Sequence, residues 1–169
     1  TADGLRLVFM SYRTGVGTWL YEARRESIDQ PFGDVKKLEE LGGGEFHVRQ
    51  PFLSPDGLTV TFVSNRPGGE GRLDLWQSLR TDRNSPWSTP VNLGPEVNDG
   101  WDIYSPAFTT DGRVLYATKW FSDGRQHELR VARRKAPHDP WGRLTELGPE
   151  INTAGFETSP RPLTDGSFI

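Results

Sequence analysis

Of the six Asp-Gly dipeptides in the chain, four stand at nearly fixed spacing: Asp3-Gly4, Asp56-Gly57, Asp111-Gly112 and Asp165-Gly166 lie 53, 55 and 54 residues apart. A period of this size marks a repeat architecture, in which each unit buries its apolar face only against a neighbour. Further columns recur with it. A proline stands five residues before three of the pairs, at Pro51, Pro106 and Pro160. A proline followed by an aromatic comes later in each unit (Pro31-Phe32, Pro86-Trp87, Pro140-Trp141), and Leu-Gly closes each at Leu41-Gly42, Leu93-Gly94 and Leu147-Gly148. The last two closings extend to Leu-Gly-Pro-Glu-Val-Asn and Leu-Gly-Pro-Glu-Ile-Asn.

Between these marks lie short runs rich in β-branched and aromatic residues, such as Leu5–Met10, Leu58–Val63 and Val114–Thr118. They read as strands. Asp-Gly suits the tight turn before each run, because glycine tolerates positive φ and aspartate bonds its own backbone. The best-defined unit predicts strands at Val48–Leu53, Leu58–Ser64, Leu73–Leu79 and Thr89–Leu93. Val35–Leu41 has the composition for two helical turns, but its place in the repeat predicts an outer strand. Four antiparallel strands per period predict an all-β fold, a β-propeller of four-stranded blades. The chain then reads as a single partial propeller of about three blades, with units at about 1–44, 45–100 and 101–155 and the start of a fourth at 156–169.

The columns resemble the WD40-like repeat of TolB-type propellers, the PD40 repeat. The likeness is strongest at Pro51-Phe52-Leu53-Ser54-Pro55-Asp56-Gly57, continuing through Phe62-Val63-Ser64-Asn65-Arg66-Pro67-Gly68-Gly69 and Leu73-Asp74-Leu75-Trp76. Departures are Thr110-Asp111-Gly112 and Thr164-Asp165-Gly166 in place of Ser-Pro-Asp-Gly, and Trp120-Phe121 in place of Asn65-Arg66. The resemblance implies an innermost strand ending in Ser-Pro-Asp-Gly, an outermost strand at Leu-Gly, and a parent ring of six or more blades. On that basis the chain is expected either to be part of a longer protein or to close a six-bladed ring from two copies. The resemblance also implies an exported bacterial protein whose axial face and loops bind a protein or peptide.

Composition narrows the partners. A net charge of −3 disfavours nucleic acid, and no apolar run approaches the ~20 residues of a membrane span. Cysteine is absent, so disulfides and thiolate metal sites are excluded. Open blade edges predict self-association.

Individual residues carry weaker signals. His47 precedes an inner strand, but neither it nor His127 and His138 belongs to a repeated ligand set, and a metal needs three or four converging donors. Asp102 and Glu157, with Glu45, stand in related positions; paired carboxylates suit glycoside cleavage, yet a recurring acid suits a structural task better. Arg13 and Arg66 follow their Asp-Gly turns by ten residues and are expected to pair with the repeat's own acids. Trp87 and Trp141, with Phe32, share one column and read as inter-blade packing, whereas Trp101 and Trp120 stand outside it as candidate surface platforms. The irregular stretch from Arg25 to Gly44 reads as a solvated edge or a source of unit-specific contacts. Gly68-Gly69-Glu70-Gly71 lacks the helix and Lys-(Ser/Thr) of a phosphate loop, and no nucleophile elbow or His-Glu-x-x-His occurs. No residue is therefore assigned a catalytic, cofactor-binding or metal-binding role. The expected function is a non-catalytic protein-binding scaffold; the alternatives are the propeller of a prolyl oligopeptidase-like hydrolase whose catalytic domain lies elsewhere, or a propeller glycosidase or lyase.

Overall fold

In the computed structural model, residues 1–121 and 127–162 are described. They form three antiparallel sheets. The first contains β1 (Arg6–Ser11), β2 (Trp19–Arg24) and β3 (Gly33–Lys37), in that order. The second runs β4 (Val48–Leu53), β5 (Thr59–Ser64), β6 (Asp74–Leu79) and β7 (Val91–Asn92). The third repeats it with β8 (Asp102–Phe108), β9 (Val114–Trp120), β10 (Glu128–Arg133) and β11 (Thr145–Glu146). The expected all-β propeller architecture of four-stranded blades is thus present, with the strand before Ser54-Pro55-Asp56-Gly57 at one edge of its sheet and the strand before Leu93-Gly94 at the other. The first sheet lacks the strand equivalent to β4 and begins at the second position. The fourth of the evenly spaced Asp-Gly pairs, Asp165-Gly166, lies outside the described residues.

Val35–Leu41 divides between its two readings: β3 ends at Lys37, and Glu39–Leu41 forms one 3-10 turn that drives Leu38 and Leu41 into the core.

Strand alternation sends successive residues of one strand to opposite faces, and the packing follows it. Val60 and Phe62 of β5 face the first sheet, where they meet Val8, Leu20 and Leu41. Val63 and Leu75 point the other way, against Ile103, Leu115 and Ala117 of the third sheet. The second sheet is covered on both faces, which is why β5 is buried almost throughout. Trp87 and Trp141 enter these two cores, as their shared column predicts, while Phe32 in the first sheet stays 38% exposed.

The Asp-Gly turn is built identically three times. A hydroxyl two residues before the aspartate donates to it: Thr1 to Asp3 at 2.6 Å, Ser54 to Asp56 at 2.5 Å, Thr109 to Asp111 at 2.6 Å. The same carboxylate oxygen accepts from the backbone N–H of Leu5, Leu58 and Arg113. Each hydroxyl oxygen in turn accepts the N–H of the strand it opens, at Arg6, Thr59 and Val114. The glycines follow at φ 68°, 78° and 66°. Thr110 can replace Pro55 because that side chain takes no part; the hydroxyl one residue earlier does.

The Leu-Gly-Pro-Glu-(Val/Ile)-Asn closing also has a structural task. Its asparagine folds back through a turn in which the N–H of Asn98 donates to Gly94 and that of Asn152 to Gly148. The Asn98 side chain then accepts the N–H of Leu75 at 2.9 Å and donates to its carbonyl at 3.0 Å; Asn152 does the same at Leu129, at 2.8 and 3.0 Å. One amide imitates a neighbouring strand and satisfies both backbone groups at that position.

Candidate functional site

The edge strands β4 and β8 converge with residues 159–162 and the start of β1 around a cleft of about 710 Å³. Three of its residues occupy one repeat column and one unusual conformation: Gln50 (φ 49°), Ser105 (φ 49°) and Ser159 (φ 57°), each directly before its proline. Non-glycine residues reach left-handed backbone only at a cost. In β4 and β8 this is the point where the register slips, between Arg49 and Phe52 and between Tyr104 and Ala107. The extra residue bends the edge strand as a bulge does. Two side chains brace the bends from neighbouring strands: Gln50 Oε1 accepts the Ser105 N–H at 3.0 Å and Thr118 Oγ1 accepts the Ser159 N–H at 3.2 Å. A feature present in every unit serves the frame, so a specific function has to reside in residues that do not repeat.

Such a set lies beside the cleft on the third sheet. Trp120 contacts the rings of Tyr104 at 6.1 Å and His127 at 5.9 Å, and His127 meets Phe156 edge-on at 5.0 Å. The Arg72 guanidinium lies 5.3 Å from the Trp120 ring centre and clasps Asp102 at 2.5 and 3.1 Å. Asp102 strengthens the charged form of Arg72, and burial, reinforced by Asp102, raises the Tyr104 phenol above its usual range. The second sheet puts Arg49, Asn65 and Leu73 where the third has Tyr104, Trp120 and His127, and the first has Tyr12 and Thr18 at the last two of these places. Phe156 is 69% exposed. An apolar ring open to water beside aromatic and arginine side chains has the composition of an interface hot spot.

The individual expectations come out unevenly. Trp120 belongs to this cluster. Trp101 packs edge-on against Phe121 at 5.1 Å, with the Lys119 ammonium over its ring. His47 is exposed, and register places it opposite Asp102 in the repeat rather than near Tyr104; His138 lies far along the chain, on a loop of the second seam. Among the described residues no group of three or more His, Asp or Glu converges. Asp102 and Glu157 do not share a column: Asp102 is held by Arg72, whereas Glu157 accepts from Thr153 at 2.6 Å and stands one column further along, at the place of Ile103.

Arg13 and Arg66 do share a role, but not the expected one. Arg66 donates to Ser64 Oγ and to the Leu41 carbonyl of the preceding sheet, and lies over Phe62 and Trp76. Arg13 donates to Ser11 Oγ and lies over Tyr21 and Phe9. Among the described residues neither takes a carboxylate partner; the aspartates of the repeat turns are occupied within those turns. Burial lowers the Arg66 pKa to about 10.

Sequence reading missed a second arginine column. Arg25, Arg80 and Arg134 each donate Nε to the carbonyl of an Asp-Gly glycine, at 2.8, 2.7 and 2.8 Å. Each also stacks on the aromatic after the Pro, namely Phe32, Trp87 and Trp141, at 4.4, 4.1 and 4.1 Å. Their spacing of 55 and 54 residues was available as a signal.

The fold and this inner-edge site define a β-propeller built of four-stranded blades. Solved structures with the same architecture include TolB from Acinetobacter baumannii (17% identity, TM-score 0.60, 98% of this chain and 34% of that one). A protein described as TolB from Agrobacterium tumefaciens is also similar (19% identity, TM-score 0.60, 88% of this chain and 47% of that one). A prolyl endopeptidase structure aligns over 97% of this chain and 24% of its own, at 15% identity and a TM-score of only 0.49. The chain spans about half the length of one TolB structure and a third of the other. No protein-family model matches the sequence, and no curated protein matches it at a significant level. Among the described residues no helix is long and apolar enough to cross a membrane.

Proposed function

We propose that this chain is one partial propeller domain, of units 1–44, 45–100, 101–155 and the start of another, serving as a non-catalytic protein-binding module. Its partner is a protein or peptide, received on the rim formed by Tyr104, Trp120, His127 and Phe156 beside the cleft. The observation that carries this reading is the exposed Phe156 ring, continuous through His127 and Trp120 with the Arg72–Asp102 pair. The repeated hydrogen bonds hold the backbone beneath it rigid, so a partner pays little to order it. TolB-like architecture is consistent with such a role, since propellers present variable loops on a fixed frame.

The test is a peptide-display selection on the intact protein, followed by affinity measurement of the enriched peptides. Phe156→Ala and Trp120→Ala are expected to weaken binding tenfold or more, in line with truncation of hot-spot aromatics. Enriched peptides that bind both variants as tightly as the parent would place the interaction elsewhere and defeat the assignment.

A further inference from the structure

The seam between the first and second sheets and the seam between the second and third are related by the repeat, but they are filled differently. In the first, Glu22 is fully buried and receives Arg6, Arg24 and Arg80 at 2.7, 2.8 and 2.8 Å. In the second, register puts Gln77 at the place of Glu22, since Val8 faces Glu22 as Thr61 faces Gln77. Thr59 and Leu79 take the places of Arg6 and Arg24. Only the last arginine is retained: Arg134 holds Gly112 and stacks on Trp141 just as Arg80 holds Gly57 and stacks on Trp87. With two side chains shortened and the carboxylate replaced by an uncharged amide of the same size, the second seam holds a cleft of about 980 Å³.

The cleft holds one arginine, with an apolar patch beside it and polar side chains around the rest of its lining. Arg134 spends its Nε on Gly112, and its terminal nitrogens have no hydrogen-bond acceptor among the described residues. Phe52, Leu79, Leu93 and Phe108 line the cavity around it. Of the four acids that line it, Asp56 and Asp111 are engaged in their own turns, Glu96 is exposed, and Asp139 supports the Arg134 charge from its loop. We propose that this cleft binds a small apolar carboxylate. Its anionic group lies beside Gln77, whose amide is turned to Thr61, and accepts from the Arg134 guanidinium as Glu22 does from Arg80 in the first seam; its hydrocarbon part lies against Leu79 and Leu93. The site is separate from the aromatic rim and does not depend on a protein partner there.

Calorimetric titration of the full-length protein with phenylacetate, and with its neutral counterpart 2-phenylethanol, tests this. Phenylacetate is expected to saturate one site and the alcohol to bind at least tenfold more weakly. Gln77→Glu restores the missing carboxylate on the protein itself; it is expected to raise the melting temperature and weaken phenylacetate at least tenfold. Arg134→Gln is expected to remove binding as well. Equal affinity for acid and alcohol, phenylacetate binding undiminished in Gln77→Glu, or no saturation by phenylacetate in the millimolar range would each overturn the proposal. Because Gln77→Glu keeps side-chain length and leaves the aromatic rim untouched, this result is read independently of peptide binding.

Discussion

Arg80 Nη1 donates to Glu22 Oε2 at 2.8 Å across the seam between the first two sheets, with side chains 2% and 0% exposed. Burial by itself raises the pKa of Glu22; Arg80, Arg24 and Arg6 overcome that and hold it below the ordinary 4.5. Removing one partner of a buried pair strands the rest without compensation, typically at a cost of about 3–5 kcal/mol. Glu22→Ala leaves three guanidinium groups facing one another, so a loss of about 3 kcal/mol or more is expected in denaturant unfolding. An unfolding midpoint within error of the parent would show that water already screens the pair.

The same group sets a pH dependence. A carboxylate whose pKa is depressed by folding contributes stability that is complete above its unfolded value and is lost as pH falls through the folded one. The Glu22 contribution is therefore expected to persist at neutral pH and to fade on acidification below 4.5. Glu22→Gln, less stable at pH 7, should close the gap with the parent as pH drops. A gap that stays constant down to pH 3 would contradict the assignment.

Asn98 offers a cleaner comparison, because Asn152 repeats its geometry. Each amide satisfies one backbone N–H and one C=O, but Asn98 is fully buried and Asn152 only partly. A buried backbone group left unpaired costs about 1–3 kcal/mol. Asn98→Ala is expected to lose about 2–3 kcal/mol, and Asn152→Ala measurably less, since water can reach the exposed backbone there. Thermal unfolding of both variants decides; equal losses would mean the side chain acts only through its turn.

How much of this was legible in the chain depends on whether a residue repeats. Strands β4 to β6 were found to within a residue because Pro51, Asp56-Gly57 and Leu93-Gly94 punctuate them. The asparagine ending was visible as near-identity, although its role was not, since nothing in Leu-Gly-Pro-Glu-Val-Asn tells that the amide reaches back to Leu75. Glu22 escaped notice for the opposite reason: its column holds Gln77 and Val131, so comparing units hides it. The aromatic rim was out of reach too, as Tyr104 and Phe156 stand 52 residues apart and meet only through Trp120 and His127. Arg13 and Arg66 were placed correctly but given the wrong partners, because sequence shows charge and not the aromatic faces and carbonyls that lie nearer.

The Asp-Gly glycines are equivalent in φ but not in surroundings. A Cβ added at Gly57 would lie 2.9 Å from Thr1 Cγ2 and 3.2 Å from Arg83 Nε, whereas at Gly112 the nearest atom is Arg134 Nη2 at 3.6 Å. Left-handed backbone alone costs a β-branched residue about 1–3 kcal/mol. Gly112→Val is expected to show that cost, and Gly57→Val a larger one together with loosening of the first seam. Thermal unfolding that ranked them the other way would refute the packing seen at Gly57.

The first sheet leaves uncovered the column that the second buries. Leu7 is 44% exposed where Val60 is fully buried, and Phe32 is 38% exposed where Trp87 is 5%. Contiguous apolar surface of this kind drives association. Residues 1–169 are expected to self-associate at micromolar concentration, and Leu7→Lys to reduce it. Sedimentation showing a monomer for the parent, or unchanged association in the variant, would rule out this face.

Asp111 provides a local probe of the turn, independent of global stability. The Thr109 hydroxyl, the Arg113 N–H and the Arg113 guanidinium bring its pKa from 3.8 down to about 2. All three favour the ionised form, so the turn is complete above pH 4 and its bonds are lost as pH falls through the folded value. Thr109→Ala removes the largest of these contributions. The carboxyl carbon, followed by NMR, is then expected to titrate measurably closer to 3.8, and the Val114 N–H, which loses its acceptor on Thr109, to exchange faster with solvent. An unchanged titration midpoint would mean that Arg113 alone holds the charge. The hydroxyl shared by Thr1, Ser54 and Thr109 would then be incidental to the repeat rather than the reason for it.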